Sequence, residues 1–542
     1  MTSKHQPREV SGDRASDAPI FWDLNAREAA ILAGILAMTV AIYLPSLRNG
    51  WVFDDWHEFV DNKLIHSWSF VWNSFRYDSW WFLRPDRLPQ SAYYRPLENV
   101  WFAANAWLFG TNPVPWHLAK IALHTIVVAL CFRVAQLLTG RVATGLLAAA
   151  IFGLMPAHVG AVVWASAIPE PLSTAFELGA MIFLIKRSPG LSRGLLIALL
   201  LCACAMLTHE SAILFPLIVA AYVFLFEGVD AGMAARIVSA LRVAGPFVAV
   251  AVAYMCARLN ALGYDFLFGV HHTIDSMMVR GFVALRAQHP PVEELMTLPI
   301  VLLTYLGVVA LPGMAAPTHV VGWVERPQPL LFVTGTALVV LIAGAFILAR
   351  RSPNRRTYLF CAVWIVLTMA PALNLNALWW LVDDRYLYAP SFGWSLAVAA
   401  IAMEIAASGS WARNVLRPAL ALILLVYAAS TMQTERYWRD DVTFFSRCVE
   451  IGPNEPDYRL NLAAAQNKAG NQEEAARVLE RGTQLDPDDV HLHRKLAEQY
   501  RLMGREMDFM REFQKFNELS AAKIERRDAA ENPGVSAPAG TP

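Results

Sequence analysis

Eleven apolar segments of about bilayer-spanning length are the feature that most constrains the fold of this chain. They recur from residue 28 to residue 432 of a 542-residue sequence whose hydrophobic residues make up 56% of the total. A helix needs about 20 residues to cross the hydrocarbon core, where only helices and closed barrels satisfy their own backbone polar groups. The pattern therefore predicts an all-α, polytopic transmembrane helix bundle. The segments are 28–47, 117–138, 143–157, 172–186, 194–208, 211–227, 243–259, 331–350, 357–373, 389–407 and 414–432.

The distribution of basic residues predicts how these segments are oriented. Residues 1–27 are polar, contain several Lys and Arg residues, and lack the short apolar core of a cleaved signal peptide, so we expect a cytoplasmic tail. Successive crossings then bring the basic loops at 186–193 and 350–356 to the cytoplasmic side. An apolar run at 298–311 breaks this alternation if it crosses fully, so we expect a half-crossing or an interfacial helix there. Eleven crossings place the long loop 48–116 and the C-terminal domain outside the cytoplasm.

Charge and cysteine usage exclude several classes of protein. Lys and Arg balance Asp and Glu at 45 each, so the formal net charge is zero and nothing indicates a nucleic-acid partner. Most of the six cysteines lie in apolar segments, and they lack the spacing of a zinc site or a disulfide framework. We therefore expect neither a structural metal nor a disulfide scaffold.

An acidic stretch directly after the first apolar segment is the strongest candidate for chemistry. The sequence FDDWHEFVDN, residues 53–62, contains four carboxylates, and Asp54 and Asp55 are adjacent. Neighbouring carboxylates repel each other, so one can hold a raised pKa and act as a base, or the pair can bind a cation. A solvated loop that follows and caps a helix is the structural alternative.

The long loop 48–116 is rich in aromatic residues. Trp side chains recur throughout it, with Tyr77, Tyr93 and Tyr94 among them. Amphipathic rings favour the membrane interface, which predicts helices that lie flat among the lipid headgroups. Aromatic faces also pack against sugar rings, and the two interpretations are compatible.

Polar residues at the ends of other apolar segments fall on the same predicted face. Charged groups inside a bilayer cost about 2.5 to 3.5 kcal/mol each on insertion scales, so their placement is informative. Each of these polar residues could instead serve as a helix cap, part of a tight turn or a local ion pair. Together, however, they predict a polar ring at one end of the bundle. Lys120 and His124, one turn apart, are expected to pack inside the bundle. The ring consists of Arg95, His158, Glu170, His209, Glu210, Asp383, Asp384 and Arg385.

The chain becomes more polar after residue 432, and residues 433–525 predict a domain of helical repeats. Gly470 and Gly504 are 34 residues apart, which is the tetratricopeptide period. Such stacks present a groove for an extended peptide, or they steady neighbouring loops, and both roles stay open. The Pro-, Gly- and Ala-rich residues 526–542 predict a disordered tail.

Taken in order, these motifs resemble a known family. They are FDDWHEFVDN, YYRPL followed by HLAKIALHT, PAHVGAVVWASAIPEPLS, THE at the fifth segment, DDRYLYAPSFG, and the C-terminal repeats. The ordered set spans about residues 28–510 and resembles the C superfamily of glycosyltransferases, in particular the transmembrane, tetratricopeptide-repeat-containing O-mannosyltransferases. Met155 stands where that family usually has a histidine, and His209 where it usually has a lysine.

The resemblance implies that a sugar, mannose in that family, passes from a polyprenyl- or dolichyl-phosphate donor to a hydroxyl of a protein or glycan acceptor on the outer face. Asp54 is the first choice for the base that deprotonates the acceptor, and Asp55 the second. We expect inversion at the sugar carbon, with no obligatory metal and no cofactor besides the lipid-linked donor.

The same resemblance implies a set of donor-binding residues. Cationic or hydrogen-bonding groups are expected at the leaving phosphate, for which Arg385, His209 and Arg95 are the candidates. Glu210 is expected to orient His209 or to contact the sugar. The expected donor-binding residues are Arg385, His209, Glu210, Arg95 and His158.

The sequence therefore predicts a membrane glycosyltransferase within residues 28–432, with an extracytoplasmic repeat domain. A bacterial inner membrane with a periplasmic site is favoured over an endoplasmic reticulum membrane with a lumenal one. The same chemistry on a lipid or polysaccharide acceptor, and a non-enzymatic repeat scaffold, are the alternatives. A transporter is less favoured because its acids would lie near the membrane midplane.

Overall fold

The computed structural model describes residues 24–83, 91–188, 190–263, 291–373 and 381–531. These residues form helices and turns without any strand, and each of the eleven predicted apolar segments overlaps a helix. The prediction of an all-α, polytopic fold is confirmed. The helices described are α1 (Ala26–Tyr43), α2 (Trp68–Ser74), α3 (Pro96–Phe109), α4 (Pro113–Thr139), α5 (Val142–Leu154), α6 (Val159–Val163), α7 (Pro169–Ile185), α8 (Arg193–Thr208), α9 (Phe215–Phe226), α10 (Met233–Leu262), α11 (Pro291–Ala310), α12 (Pro329–Arg351), α13 (Arg355–Met369), α14 (Pro390–Ala407), α15 (Ser410–Thr434), α16 (Asp441–Ile451), α17 (Pro456–Lys468), α18 (Gln472–Leu485), α19 (Val490–Leu502) and α20 (Glu506–Glu531).

Within the described ranges, seven helices are long and apolar enough to cross a membrane: α1 with the turn that follows it, α4, α10, α11, α12, α14 and α15. Helices α5 and α6 give an eighth span if they are counted together, because they are joined through a bend of 54°. Pro156 begins the short turn at this bend, and its missing N–H favours the break. Helix α8 and the segment Glu210–Phe226 are apolar but shorter.

Helix α11 differs from the expectation for the run at 298–311. The sequence predicts a half-crossing or an interfacial helix there, and the helix begins at Pro291 and has 20 residues. It is longer than the apolar run, because a proline at the first position and acids in the first turn, Glu293 and Glu294, start the helix before that run. An additional crossing would change the alternation of loops, so their assignment to the two faces stays a prediction.

Close helix packing in the bundle depends on small residues. A Cβ atom on Gly145 of α5 would lie 2.8 Å from the carbonyl oxygen of Phe132 on α4. Because a Cβ atom cannot approach a carbonyl so closely, only glycine lets these two helices reach their present separation. The pair forms part of the rigid frame from which the connecting turns emerge.

Those connecting turns carry most of the polar residues singled out from the sequence. The acidic stretch 53–62 follows α1 and its short helical extension, and the turn 164–168 separates α6 from α7. The turn Glu210–Leu214 precedes α9, and Asp384–Leu387 precedes α14. Residues far apart in sequence are therefore presented on short, well-anchored connections.

Residues 317–320 and the described residues after 436, 437–531, make up a second compact unit. In its described part, Gly470 and Gly504 have φ values of +84° and +71° and lie between the helices of successive pairs, where glycine accepts a left-handed conformation without strain. These helix pairs are consistent with the predicted tetratricopeptide repeats. Helix α20 continues to Glu531, beyond the predicted domain end at residue 525. Residues 526–531 of the expected disordered tail are therefore helical, whereas residues 532–542 of that tail and residues 1–23 of the expected cytoplasmic tail lie outside the described residues.

Candidate functional site

The backbone is strained immediately before Asp54. Phe53 has a φ of 56°, the only positive φ of a non-glycine residue in the described part of the chain. A non-glycine residue in this region costs about 1 to 2 kcal/mol, and such strain clusters at functional sites. The turn is closed by the Glu58 N–H, which donates to the Asp54 carbonyl over 2.9 Å. Asp54 itself is partly exposed at this turn.

Both carboxylate oxygens of Asp55, in contrast, accept hydrogen bonds from neighbouring groups. Its Oδ2 accepts a hydrogen bond from the Val52 N–H at 2.9 Å. Its Oδ1 accepts from the Ser166 N–H at 2.9 Å and from the Ser166 hydroxyl at 2.6 Å. The side chain is 1% exposed. Burial raises the pKa of Asp55 to about 7 and these hydrogen bonds oppose the rise. Of the two adjacent carboxylates, Asp54 is therefore the more accessible.

Asp54 shares its electrostatic environment with Arg385. Burial raises the pKa of Asp54 to about 7, and the positive charge of Arg385 opposes that increase. Residues 331 positions apart in sequence are therefore close enough to interact electrostatically. A carboxyl group with a pKa near neutrality is well matched to general-base catalysis.

Arg385 is held by acids and by an aromatic ring. Its Nε lies 2.8 Å from Asp383 Oδ2 and 3.8 Å from Glu170 Oε1. Its guanidinium carbon lies 4.8 Å from the centre of the Trp164 ring. The side chain is 19% exposed, so its charge is only partly screened by water. The predicted ion pair between Arg385 and its neighbouring aspartate exists, but it does not remove the residue from the site.

Arg95 and Glu210 form a bidentate ion pair. Arg95 Nε and Nη2 donate to Glu210 Oε2 and Oε1 at 2.8 and 2.7 Å. The pair joins the start of α3 to the turn before α9, and the Arg95 guanidinium also lies over the Tyr93 ring at 4.2 Å. Glu210 therefore orients Arg95, a pairing that the sequence did not predict. The expected roles of Glu210, orienting His209 or contacting the sugar, stay predictions.

His209 is oriented by Ser211. The Ser211 N–H donates to His209 Nδ1 over 3.1 Å, and the Ser211 hydroxyl lies 2.7 Å from the same nitrogen. Burial lowers the pKa of His209, which favours the neutral ring. Because Nδ1 accepts the backbone hydrogen bond, the neutral ring carries its proton on Nε2. His209 thus offers an N–H donor rather than a positive charge.

His158 lies in a buried cluster of rings. Its Nε2 is 2.6 Å from the Ser391 hydroxyl, and its ring centre is 4.4 Å from that of Phe152 and 4.7 Å from that of Tyr388. The residue is completely buried. These contacts are those of a packed core histidine, so His158 is left out of the donor-binding set proposed below.

Two acids that the sequence did not rank belong to the same group. Glu98, in the first turn of α3, is 5% exposed, and burial raises its pKa to about 8. Glu58 Oε1 accepts a hydrogen bond from Trp80 Nε1 at 3.1 Å, and burial raises its pKa well above the usual range. Glu58 lies within FDDWHEFVDN and Glu98 directly follows YYRPL, but only the fold brings them together. Trp164 and Ser166 escaped notice for the same reason.

Comparison with known proteins identifies relatives along most of the chain. No family model matches the sequence. The chain is 24% identical over 500 residues to protein O-mannosyl-transferase TMTC3 of Mus musculus, covering 89% of this chain and 54% of that protein. It is 25% identical over 545 residues to the Tmtc3 protein O-mannosyl-transferase of Drosophila melanogaster, covering 90% and 58%. The resemblance to these O-mannosyltransferases is confirmed. The chain spans little more than half the length of these curated relatives.

Among solved structures, a match is found to ArnT from Cupriavidus metallidurans bound to undecaprenyl phosphate. The two chains are 13% identical, with a TM-score of 0.33 over 80% of this chain and 81% of that one.

Proposed function

We propose that this protein is a membrane glycosyltransferase that moves a sugar, taken here to be mannose, from a polyprenyl-phosphate donor to a hydroxyl of a protein Ser or Thr. The observation that carries the proposal is the partly exposed Asp54 within electrostatic range of Arg385, which would give one site both a base and a cation. The similarity to protein O-mannosyl-transferases along 89% of the chain supports this chemistry.

Asp54 acts as the base in the proposed reaction. The acceptor oxygen forms a bond to the anomeric carbon of the sugar while the bond from that carbon to the phosphate oxygen breaks. The electron pair leaves with the phosphate, and the acceptor proton passes to Asp54. Attack from the face opposite the phosphate inverts the configuration, and the transition state has oxocarbenium character, as in glycoside hydrolysis.

Arg385 stabilises the leaving phosphate. A guanidinium matches the geometry of phosphate oxygens and acts strongly where water is largely excluded, which the 19% exposure of Arg385 supports. His209 contributes its Nε2–H as a neutral donor. Arg95 ranks third because both oxygens of Glu210 already engage its guanidinium.

The lipid tail of the donor requires an apolar path from the bilayer to this site. A cavity of about 390 Å³ lies among α5, α11, α14 and α15, with Ile151, Ala310, Val398 and Ile423 in its lining. Helix α11 also carries Tyr305, whose hydroxyl accepts a hydrogen bond from the Asp383 N–H at 3.3 Å. One helix thus borders both the apolar cavity and the turn that bears Arg385, which supports lateral entry of a lipid-linked donor.

The membrane and the face of the reaction are further parts of the proposal. The apolar helices support an integral, multi-pass membrane protein. The basic loops favour an extracytoplasmic site, in the periplasm for a bacterial inner membrane. The alternative is the lumenal face of the endoplasmic reticulum.

The direct test is sugar transfer by the purified full-length protein in lipid nanodiscs. Radiolabelled mannosyl polyprenyl phosphate and a panel of related donors are supplied with peptide, lipid or polysaccharide acceptors. Wild type and Asp61→Asn, which alters an exposed acid of the same stretch, should transfer label to peptide, whereas Asp54→Asn should not. Label on lipid or polysaccharide alone would move the proposal to that acceptor. If no donor is consumed, or if Asp54→Asn equals wild type, the proposed chemistry fails and a scaffold becomes the better account.

A further inference from the structure

The turn 164–167, between α6 and α7, contacts both halves of the candidate site. We propose that this turn positions Asp54 relative to Arg385, and that Ser166 and Lys120 are the positioning residues that hold it in place. The inference rests on the proposed function for its kinetic consequence, but the arrangement itself can be tested without turnover.

Ser166 fixes the peptide segment from which Asp54 projects. Its backbone N–H and its hydroxyl both donate to Asp55 Oδ1, at 2.9 and 2.6 Å. Asp55 is 1% exposed and Ser166 is 6% exposed, so water competes little with these hydrogen bonds. Since Asp54 and Asp55 are adjacent, anchoring one restricts the backbone of the other.

Trp164 links the same turn to the cation. Its Nε1–H donates to the carbonyl of Val52, just before the acidic stretch, at 3.1 Å, and this is a second attachment of the turn to that segment of the chain. Its ring lies below the Arg385 guanidinium, 4.8 Å from the guanidinium carbon. One side chain therefore contacts the segment that carries the base and the residue proposed to receive the phosphate.

Lys120 fixes the far end of the turn. Its ammonium group donates a hydrogen bond to the Ala167 carbonyl from within α4. The Ala167 N–H in turn donates to the Trp164 carbonyl at 3.2 Å. Lys120 is 2% exposed, and burying an ammonium group within a membrane span is costly. Because Lys120 bears this desolvation cost at the turn that contacts both the Asp54 segment and Arg385, we favour a role in the site over simple packing.

The chemical consequence is preorganisation. Reacting groups must be held to about 0.5 Å, and a misplacement of about 1 Å can lower a rate by about 10²-fold. Ser166 and Lys120 are too deeply buried to be acceptor or donor ligands, so their loss should affect the geometry of the reacting groups more than the affinity for substrate.

The kinetic experiment compares Ser166→Ala and Lys120→Met with Ser74→Ala. Ser74 is a matched control because it is equally buried and its hydroxyl donates to the Phe70 carbonyl at 2.8 Å. We expect kcat to fall about tenfold or more for both test variants, with KM for the donor within about twofold of wild type. Ser166→Thr, which keeps the hydroxyl donor, should recover most of the lost rate. Unchanged kcat in a folded Ser166→Ala variant would overturn the inference.

A second measurement needs no sugar transfer. Carboxyl groups of the full-length protein are labelled with a water-soluble carbodiimide, and the rate at Asp54 relative to Asp61 is followed by mass spectrometry. Ser166→Ala should change this ratio at least twofold while Ser74→Ala should not. If wild type transfers no sugar, the proposed function fails but this ratio still decides the positioning role. An unchanged labelling ratio in Ser166→Ala overturns the positioning role. If Lys120→Met does not fold, the result for Ser166→Ala alone decides the inference.

Discussion

The pH dependence of sugar transfer is the sharpest test of the site, because it follows from the ionisation of one residue. Burial raises the pKa of Asp54 to about 7, and only the ionised carboxylate can accept the proton of an acceptor hydroxyl. Activity should therefore be lost as the pH falls through 7 and should reach a plateau above it. The sign of the effect follows from the raised pKa, because the inactive, protonated form of Asp54 then persists up to nearly neutral pH.

The magnitude follows from a one-proton titration. With a pKa of about 7, Asp54 is about 9% ionised at pH 6 and about 91% ionised at pH 8, so kcat/KM should rise about tenfold between these values. Asp54→Asn removes the base altogether and should lower the rate by about 10²- to 10⁴-fold, equivalent to about 3 to 5 kcal/mol in the barrier.

The assay is initial-rate transfer of radiolabelled sugar from the donor to a peptide between pH 5 and pH 9, at constant ionic strength. Asp61→Asn serves as the control and should follow the wild-type curve. The reasoning is refuted if Asp54→Asn retains both the wild-type rate and the same acid limb. In that case the titrating group would be sought in Asp55, with a pKa of about 7, or in Glu98, with a pKa of about 8.

Three further outcomes are expected. Arg385→Gln removes the charge that lowers the pKa of Asp54, so the pH at which activity is half lost should move upwards. The rate should also fall about 10²- to 10³-fold through loss of phosphate stabilisation. An unchanged pH profile would contradict the electrostatic interaction between Arg385 and Asp54. Transfer should survive exhaustive treatment with a chelator, and a loss of activity restored by one metal ion would refute metal independence. Gly470→Ala should destabilise the repeats by about 1 kcal/mol, because glycine stands there at φ +84° with open space beside it. Thermal unfolding of the full chain checks this, and an unchanged curve would exclude strain at that turn.

The apolar periodicity predicted the helices well because the membrane requirement acts on every residue of a span. Sequence also selected Asp54 and Arg385 as candidates, since charges at the ends of apolar segments stand out. It could not assign the partner of Glu210, which is Arg95, because this pairing depends on how α3 packs beside the turn before α9. Side chains such as Ser166 carry no signal in isolation, because a serine near a helix end is ordinary until its acceptor is known.

The length of α11 shows a different limit. Hydropathy marks where a helix is apolar, but capping residues decide where it begins, and the two need not coincide. The acids at the start of α11 lower the mean hydropathy of its first turn while favouring its helical conformation. Counting apolar residues alone therefore shortens such helices.

The left-handed conformation of Phe53 bears on how position 53 tolerates change. Glycine would adopt a φ of 56° without penalty, yet the chain carries phenylalanine there. The ring centre of Phe53 lies 5.9 Å from that of Trp164. Phenylalanine at this position therefore carries a strained backbone conformation but makes an aromatic contact with the turn that bears Ser166. Selection for thermal stability alone would therefore favour glycine at position 53, and the contact between the Phe53 and Trp164 rings would be lost.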